Sequence, residues 1–578
     1  MALRLPLGTS DFAQLRRDGD HYVDKSGLAV ELIRTSSRVV LLPRPRRFGK
    51  TLNLSMLRYW FERPVEPGGT DIAGLFAGLD VTTAGEDVAA RFQRHPVIFL
   101  TFKDVKNKTW ETCRANVVAL LRSEVLRHRP TWSAVALADD DRQVLEALAS
   151  GTATDSALQS ALRVLCRAIA LGTGEDAVLL IDEYDTPIHS GWIHGYYDEV
   201  IELFRNLLSG GLKDNPHIYR GVLTGILRVA KESIFSGLNN VSVHTMLSGP
   251  FSRWFGFTDA EVDELCRLAG PEADREGIRE WYNGYLMGGH VVYNPWSVLS
   301  YLAAMSDGFK PYWINTASDE ILRRLLIGAG LGIQAELAAL VAGGELVEQV
   351  SEDIQLRDLG KGGSDVWSFL LFSGYLKATD VRIGDRTVAT LKIPNREVVL
   401  AYRAMFLRWF EAGVGTGREV DALCRSLLSG DEIGFEGRLQ RLVVNSLSYF
   451  DVGGRTPEAV YQAFLVGLLV QLDATHIVDA NREAGFGRYD VCVRPRLPAG
   501  AGLSPAVGAA PGSRAGAVLE LKVVDPNRET WEAALDSAMR QIHDRAYAAA
   551  AREAGADPVW LWAAVFDGKR VRVKVEPG

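Results

Sequence analysis

Apolar positions along the chain fall into short runs that alternate with longer stretches of helical spacing. Runs of strand length lie at Val39–Leu42, Pro96–Phe102, Ala177–Ile181 and Tyr219–Thr224. Between these runs, residues 51–60 and 110–170 carry apolar side chains at the spacing of helices. Because strands that alternate with helices build parallel sheets, the pattern predicts an α/β domain over residues 1–255.

The apolar pattern then becomes mainly helical and rich in Trp and Tyr, which predicts a helical middle domain over residues 256–440. Within it, Phe369–Phe372 is predicted as a strand and residues 395–412 as a helix. After about residue 440 the pattern changes again, and a third domain is predicted over residues 441–578.

The third domain is predicted to have the element order αβββαβ. Its first helix has Thr456 as N-cap and Pro457 in the first turn. The remaining elements are three strands, a helix and a last strand, at His476–Ala480, Tyr489–Val493, Val518–Val524, residues 529–552 and Val559–Phe566. The Pro-, Ala- and Gly-rich residues 498–516 are predicted to form a flexible hairpin extension.

Composition limits the classes of function. The 578 residues are 47% hydrophobic and 24% charged, as in a globular chain of several domains, and the net charge of −8 excludes a basic surface over the whole protein. Local basic runs at Arg34–Lys50 and Lys569–Lys574 are solvated faces, strand edges or local contacts. Scattered cysteines, an N-terminus without an apolar signal core and no apolar stretch of membrane-spanning length predict a cytoplasmic protein without membrane contact.

A phosphate-binding loop is predicted between the first strand and the helix that follows it. The segment Arg44–Thr51 fits the frame G-x-x-x-x-G-K-[ST], except that Arg44 replaces the first glycine. In such a loop, backbone N–H groups meet phosphates, Lys50 reaches the β- and γ-phosphates, and Thr51 holds Mg²⁺. The sequence therefore predicts ATP and Mg²⁺ as cofactors, with six loop residues as candidate ligands: Arg46, Arg47, Phe48, Gly49, Lys50 and Thr51. The two arginines either contact phosphate or are solvated.

The ends of two later strands supply the second half of the predicted nucleotide site. Asp182 is expected to bind Mg²⁺ through water, and Glu183 to polarise the attacking water. Thr224 is placed like a γ-phosphate sensor at the end of the next strand. Arg228 either contacts the γ-phosphate, within the chain or across an oligomer interface, or forms a structural salt bridge.

Two charged residues interrupt an apolar run near the end of the chain. Glu520 and Lys522 share one face of the predicted strand Val518–Val524, since side chains alternate along a strand. Burying a carboxylate and an ammonium is costly unless each is paired or holds a metal. Asp490 lies on the neighbouring predicted strand, so that Asp490 and Glu520 can share one Mg²⁺ while Lys522 orients a water or stabilises negative charge.

Further residues are weaker candidates around the same predicted metal. Glu458, at the start of the preceding helix, is either an acidic ligand or an acid favoured by the helix dipole. Glu483, seven residues before Asp490, is a comparable candidate. Gln541 on the following helix is expected to face solvent.

These motifs resemble those of a bacterial family of AAA-ATPase-like proteins with a C-terminal PD-(D/E)XK nuclease domain. The resemblance covers nearly the whole chain, through Tyr22–Lys25, Arg44–Thr51, Leu180–Asp185, Leu223–Arg228, Ser233–Asn240, Trp281–Tyr285, Tyr293–Ser297, Glu483, Gly487–Asp490 and Glu520–Lys522. The arginine-bearing loop is similar to the family's own version. The resemblance implies an AAA/STAND-like P-loop domain, a restriction-endonuclease-like domain, and site roles in ATP and Mg²⁺ binding for Lys50, Thr51, Asp182 and Glu183, and in DNA cleavage for Asp490, Glu520 and Lys522.

Three functions are consistent with these motifs. The first is an ATP-regulated, Mg²⁺-dependent nuclease that acts on DNA rather than RNA, with nucleotide state controlling access to the nuclease site. Some related ATPase–nuclease pairings act in defence against phage or mobile DNA, which suggests such a role by analogy. A second copy of the chain is a candidate partner. The alternatives are a nucleotide-dependent signalling switch or nucleic-acid-binding scaffold whose nuclease fold no longer cuts, and a protein that binds ATP without hydrolysing it.

Overall fold

The computed structural model divides the chain into two compact units, Met1–Leu325 with Val347–Glu397, and Leu326–Leu346 with Val398–Gly578. It describes residues 3–64, 71–228, 240–313, 321–322, 324–325, 331–341, 343–354, 356, 363–402, 417–447, 458–469, 472, 475–480, 483–484, 487–496, 514–524, 529–544 and 547–578. Most of the middle region thus belongs to the first unit, and the division into three domains stays a prediction.

The strands and α-helices are numbered in chain order. The strands are β1 (Val39–Pro43), β2 (Val97–Thr101), β3 (Ala177–Asp182), β4 (Ile218–Gly225), β5 (Val241–Val243), β6 (Tyr285–Met287), β7 (His290–Val292), β8 (Leu346–Gln349), β9 (Lys377–Arg382), β10 (Val388–Lys392), β11 (His476–Ala480), β12 (Glu483–Ala484), β13 (Gly487–Arg488), β14 (Val491–Pro495), β15 (Gly516–Val523), β16 (Val559–Asp567) and β17 (Arg570–Pro577). The helices are α1 (Phe12–Arg17), α2 (Gly27–Arg34), α3 (Lys50–Phe61), α4 (Ala73–Phe76), α5 (Glu86–Ala89), α6 (Trp110–Arg127), α7 (Arg129–Trp132), α8 (Asp139–Ser150), α9 (Asp155–Thr173), α10 (Thr186–His194), α11 (Tyr197–Leu212), α12 (Asp259–Ala269), α13 (Arg275–Tyr282), α14 (Pro295–Ala303), α15 (Leu331–Val341), α16 (Gly363–Phe372), α17 (Gly417–Ser429), α18 (Glu432–Leu447), α19 (Glu458–Leu469), α20 (Trp531–Asp544) and α21 (Ala548–Glu553).

The first unit contains a parallel sheet with the strand order β2-β3-β4-β1-β5. Every residue of β1 and of β3 is buried, which explains their uninterrupted apolar runs, because a parallel sheet is covered on both faces. The predicted parallel α/β fold is therefore confirmed. Since β4 lies between β1 and β3, the phosphate-binding loop, the Asp182-Glu183 pair and Thr224 follow neighbouring strand ends.

The middle region contains strands as well as helices, and the predicted strand Phe369–Phe372 is wrong. That run is the last turn of α16, where Gly374 with φ of 90° follows the helix and the Ser373 hydroxyl donates back to the Phe369 carbonyl at 2.6 Å. A short, wholly buried apolar run has no period that separates strand from helix. The hairpin β6–β7 and the sheet β8-β10-β9 were not predicted, since these strands are short and partly exposed.

The second unit is built around a mixed sheet with the order β11-β14-β15-β16-β17. Only β15 and β16 run parallel; the other neighbouring pairs of this sheet are antiparallel. Apolar residues of α17, α18 and α19 pack with one set of strand residues, and those of α20 and α21 pack with another. The predicted αβββαβ core is confirmed, with the predicted last helix divided into α20 and α21.

One strand, β17, was not predicted as a separate element, although its basic residues alternate with valines as in a strand edge. Three side chains on α18 accept its backbone N–H groups at 2.9 Å each: Gln440 from Val571, Glu436 from Val573 and Glu432 from Val575. The three acceptors are four residues apart on the helix, a rise of about 6 Å, and the three N–H groups are two residues apart on the strand, a rise of about 6.6 Å. The spacing of the acceptors therefore matches that of the N–H groups. The helix therefore covers the edge of this sheet, which prevents pairing with a further strand.

Several sequence predictions fall on residues that the structure does not describe. They concern Thr456, Pro457, residues 403–412, residues 498–513 and most of Ser233–Asn240. All five cysteines are buried as thiols. Within the described part of the chain, no helix combines the length and the apolar character needed to cross a bilayer.

Candidate nucleotide and nuclease sites

Asp182 lies at the centre of the candidate nucleotide site, where it accepts hydrogen bonds from three threonine hydroxyls. Its two carboxylate oxygens receive Thr51 Oγ1 at 2.7 Å, Thr101 Oγ1 at 3.2 Å and Thr224 Oγ1 at 2.8 Å. Burial and the charge of Glu183 raise the pKa of Asp182, against the opposing effect of these hydroxyls and of Lys50. The structure thus brings together the residues predicted from two strand ends, and it adds Thr101 from β2.

The buried Lys50 and the partly buried Glu183 form an ion pair, with Nζ 3.2 Å from Oε1. Lys50 also donates to the backbone oxygens of Arg44 at 3.2 Å and Pro45 at 3.1 Å. Burial opposes ionisation of Glu183, but the nearby Lys50 and Arg46 outweigh it and lower the pKa of the carboxyl. The lysine therefore bonds both to the loop carbonyls and to the predicted catalytic glutamate.

Arg44, which stands in place of the first glycine of the loop, is a structural residue. It is fully buried, lies over the ring of Phe255, and donates to the backbone oxygens of Pro43 at 2.8 Å, His244 at 2.5 Å and Phe251 at 3.2 Å. Burial lowers the pKa of Arg44 to about 9. The Arg44 guanidinium therefore binds backbone carbonyls and an aromatic ring inside the protein, and this buried position does not expose it to a phosphate.

We expect Arg44→Met to lower the free energy of unfolding of the first unit by about 2–4 kcal/mol, because it leaves buried carbonyls without their donor. Chemical denaturation followed by tryptophan fluorescence measures the change. Arg34→Met is the matched control, since Arg34 is exposed and its ion pair with Asp87 and its hydrogen bond to the Ala84 carbonyl both lie at the surface. Unchanged stability with loss of nucleotide binding would show instead that Arg44 is a phosphate ligand.

The remaining loop residues divide into two groups. Phe48 is buried against Tyr285, with ring centres 4.9 Å apart, so that only its main chain is available to a nucleotide. Arg46 is partly exposed and Arg47 is exposed. The φ angles of 67° at Arg47 and 84° at Gly49 bend the loop into the start of α3. The predicted role of Phe48 is therefore limited to its backbone.

A cavity of about 600 Å³ opens beside the loop, which is ample for a nucleotide. Its lining includes the polar residues Lys50, Thr51 and Glu183 and the aromatic residues Tyr22, Phe257 and Trp296. The cavity therefore offers both polar groups for phosphates and aromatic side chains.

Arg228 forms an ion pair with Asp353, with Nε 3.0 Å from Oδ1, which corresponds to the structural alternative for this residue. The chain just before it is held by Asp185, whose Oδ2 accepts from the N–H groups of Ile226 at 2.8 Å and Leu227 at 3.0 Å. Asp185 is fully buried and was not predicted as a site residue. It connects the segment after β3 to the segment after β4.

In the second unit, Asp490 lies one residue before β14, beside the strand that carries Glu520 and Lys522. Its Oδ2 accepts from the Leu521 N–H at 2.7 Å, and its backbone oxygen accepts from Gln462 Nε2 at 2.7 Å. Burial raises the pKa of Asp490, against the opposing effects of the Leu521 N–H and Lys522. Asp490 was predicted to lie near Glu520, and the structure shows it in contact with Leu521, the residue next to Glu520.

Helix α20 holds both charged side chains of β15. Gln541 Nε2 donates to Glu520 Oε1, and Lys522 Nζ donates to Ser537 Oγ at 2.7 Å. Glu520 is only 4% exposed. The expectation that Gln541 faces solvent is therefore wrong, because residues four apart on the helix meet residues two apart on the strand.

Glu458 begins α19 and lies close enough to Asp490 and Lys522 for their charges to affect it. Partial burial and the charge of Asp490 raise the pKa of Glu458, while Lys522 and the Val523 N–H lower it. This placement supports Glu458 as a candidate ligand. Glu483 belongs to the short strand β12, which pairs with β13, and its predicted role stays a prediction.

The donor sets of both sites fit Mg²⁺, which prefers oxygen ligands and retains several waters. In the first unit these donors are the Thr51 hydroxyl and the Asp182 carboxylate; in the second they are the carboxylates of Asp490 and Glu520. Among the residues that the structure describes, no three His, Cys, Asp or Glu side chains form a group that could hold a metal ion. Each site would thus leave most coordination positions to water and phosphate.

The fold and the two sites define a P-loop ATPase-like unit joined to a restriction-endonuclease-like unit. Family models agree: residues 6–235 match the predicted AAA-ATPase family, and residues 456–576 match the PD-(D/E)XK nuclease superfamily. The chain is also 30% identical over 499 residues to an uncharacterized protein in the vnfD 5′ region of Azotobacter chroococcum mcd 1, an alignment that covers 85% of this chain and 87% of the relative. The chain belongs to this family of AAA-ATPase-like proteins with a PD-(D/E)XK nuclease domain.

Proposed function

We propose that the protein binds and hydrolyses ATP with Mg²⁺ in its first unit and cleaves nucleic acid, DNA rather than RNA, with Mg²⁺ in its second. The observation that carries the nuclease proposal is the position of buried Glu520 next to the residue that Asp490 contacts, with Lys522 on the same strand face. The ATPase proposal is supported by the hydrogen bond between Thr51 and Asp182 at the end of the phosphate-binding loop.

In the first unit, the proposed sequence of events begins with the release of Lys50 from Glu183. A γ-phosphate would attract the ammonium, and Glu183 would then be available to orient and deprotonate the attacking water. Thr224 would report on the γ-phosphate through Asp182, to which its hydroxyl donates. Arg46 and Arg47 border the cavity and would add positive charge near the phosphates.

In the second unit, Asp490 and Glu520 would hold Mg²⁺, with Glu458 and Glu483 as further candidate ligands. When bound, the metal lowers the pKa of a bound water and neutralises phosphate charge. Lys522, whose ammonium is fixed by Ser537, would orient that water or stabilise negative charge on the phosphate. Gln541 would keep the Glu520 carboxylate aligned.

The direct test is incubation of single-stranded DNA, double-stranded DNA and RNA with the full chain and Mg²⁺, with and without ATP, while phosphate release is measured in parallel. Mg²⁺-dependent cleavage that changes with ATP is expected. Cleavage at the same rate with and without ATP would show that the nuclease activity does not depend on the ATPase. Nucleotide-dependent self-association without cleavage would favour the signalling switch or nucleic-acid-binding scaffold. A role in defence against foreign DNA would require that loss of Glu520 also removes protection of a host cell.

We expect Gln541→Leu to lower the rate of cleavage about 10- to 100-fold, because partners of metal ligands contribute on that order. The variant removes the donor to Glu520 and leaves both carboxylates in place. Glu532→Gln, an exposed position on the same helix, is the control. An equal rate in both variants would contradict a positioning role for Gln541.

A further inference from the structure

Two tryptophans hold consecutive residues of the phosphate-binding loop. Trp313 donates its indole N–H to the Arg46 backbone oxygen at 3.3 Å, and the Arg47 guanidinium lies 4.3 Å from the ring centre of Trp296. Arg47 has a φ of 67°, which a side chain other than glycine adopts only when its surroundings impose it. The two contacts lie where the loop needs such support.

One buried carboxyl group, that of Glu397, binds the backbone of Trp313 and the side chain next to Trp296. The carboxyl accepts from the backbone N–H of Trp313 at 2.6 Å and from the hydroxyl of Ser297, the neighbour of Trp296, at 2.8 and 3.0 Å. The Trp296 indole donates in turn to the Tyr312 backbone oxygen at 3.3 Å. One side chain therefore joins the start of α14, the Tyr312-Trp313 segment and, through the two rings, the phosphate-binding loop.

The environment of Glu397 is unusual for an acid. It is fully buried, and burial raises the pKa of Glu397 to about 7, against the lowering effects of the Trp313 N–H and Ser297. The other titratable groups that its charge influences are the phenols of Tyr282, Tyr285 and Tyr312. Burying an acid among aromatic rings costs free energy of folding. We therefore infer that Glu397 is present because it fixes the positions of the groups that donate to it.

We propose that Glu397 is a positioning residue for nucleotide binding, which fixes Arg46 and Arg47 through Trp313 and Trp296 so that the loop is shaped before phosphate arrives. The proposal rests on the proposed function of the first unit, since it assumes that this loop binds nucleotide phosphate. It assigns to residues 293–313 and 397 a part in the nucleotide site that their distance along the chain does not suggest. The Tyr293–Ser297 motif thereby gains a function.

The test compares Glu397→Ala and Glu397→Gln with Glu272→Ala, an exposed position, by hydrogen exchange without nucleotide and by ATP titration with Mg²⁺. We expect Glu397→Ala to increase exchange within residues 44–50 and to weaken ATP binding at least about tenfold, because small displacements in a site have large effects. Glu397→Gln keeps acceptor and shape, so both properties are expected to remain within about threefold of the wild type. The catalytic rate at saturating ATP is expected to change less than the affinity.

Trp313→Phe is the second variant, because it removes the indole donor and keeps a ring against Tyr375, whose centre is 4.8 Å away. It is expected to increase exchange in residues 44–50 without affecting β3 or β4. The proposal is overturned if Glu397→Ala leaves exchange in residues 44–50 unchanged, or if exchange rises equally throughout the sheet. The exchange measurement needs no nucleotide, so a wild type that fails to bind ATP would refute the proposed function while the role of Glu397 in shaping the loop is still tested.

Discussion

Replacing Glu520 with glutamine is expected to abolish Mg²⁺-dependent cleavage of nucleic acid while the protein stays folded. The substitution keeps the shape of a side chain that is only 4% exposed, and it removes the charge that would hold the metal beside Asp490. Because metal binding supplies several kcal/mol of transition-state stabilisation, the rate is expected to fall by about three orders of magnitude or more.

The stability of Glu520→Gln is expected to equal or exceed that of the wild type, because an ionised carboxylate is costly to bury. This opposite response of activity and stability separates a functional residue from a structural one. Cleavage is measured on a labelled DNA at fixed Mg²⁺, and stability by thermal unfolding. Glu553→Gln, exposed on α21, is the control. Cleavage at the wild-type rate in Glu520→Gln would refute the nuclease assignment.

The sequence was most informative where a single side chain is out of place in its local pattern. Glu520 and Lys522 interrupt a buried strand, the Asp182-Glu183 pair lies at the end of buried β3, and Lys50 and Thr51 follow the short loop after buried β1. Each of these features can be recognised within about ten residues of chain, and the parallel sheet brings the strand ends together whatever lies between them. The two five-stranded sheets were predictable for the same reason, apart from their edge strands β5 and β17.

The residues that the sequence did not predict as site residues act over long distances in the chain and carry no local signal. Thr101 lies 81 residues from Asp182, and Glu397 lies 84 residues from Trp313, whose backbone N–H donates to it. Gln541 could have been found from the four-residue spacing that it shares with Ser537, once α20 was known to cover the face of Glu520 and Lys522. That packing is set by the tertiary fold, as is the helical state of Phe369–Phe372.

The second large effect is expected at the nucleotide site, where Lys50→Ala and Glu183→Gln should fail at different steps. Lys50 is placed to reach phosphate from the start of α3, so its loss is expected to weaken ATP binding about 100-fold or more. Glu183 is placed to act on water, so Glu183→Gln is expected to bind ATP and to lower hydrolysis by about 100- to 1,000-fold. Binding is measured by titration and hydrolysis by phosphate release, with Lys213→Ala, an exposed position, as control.

The ion pair between Lys50 and Glu183 makes the comparison more specific. Its atoms are 3.2 Å apart, so a phosphate is expected to compete with Glu183 for the Lys50 ammonium. Glu183→Gln removes the charge that competes with phosphate for the ammonium, so ATP is expected to bind at least as tightly to this variant as to the wild type. Weaker binding in Glu183→Gln would show that the glutamate supports the nucleotide itself. If both variants hydrolysed ATP at the wild-type rate, the assignment of this cavity to ATP hydrolysis would be wrong.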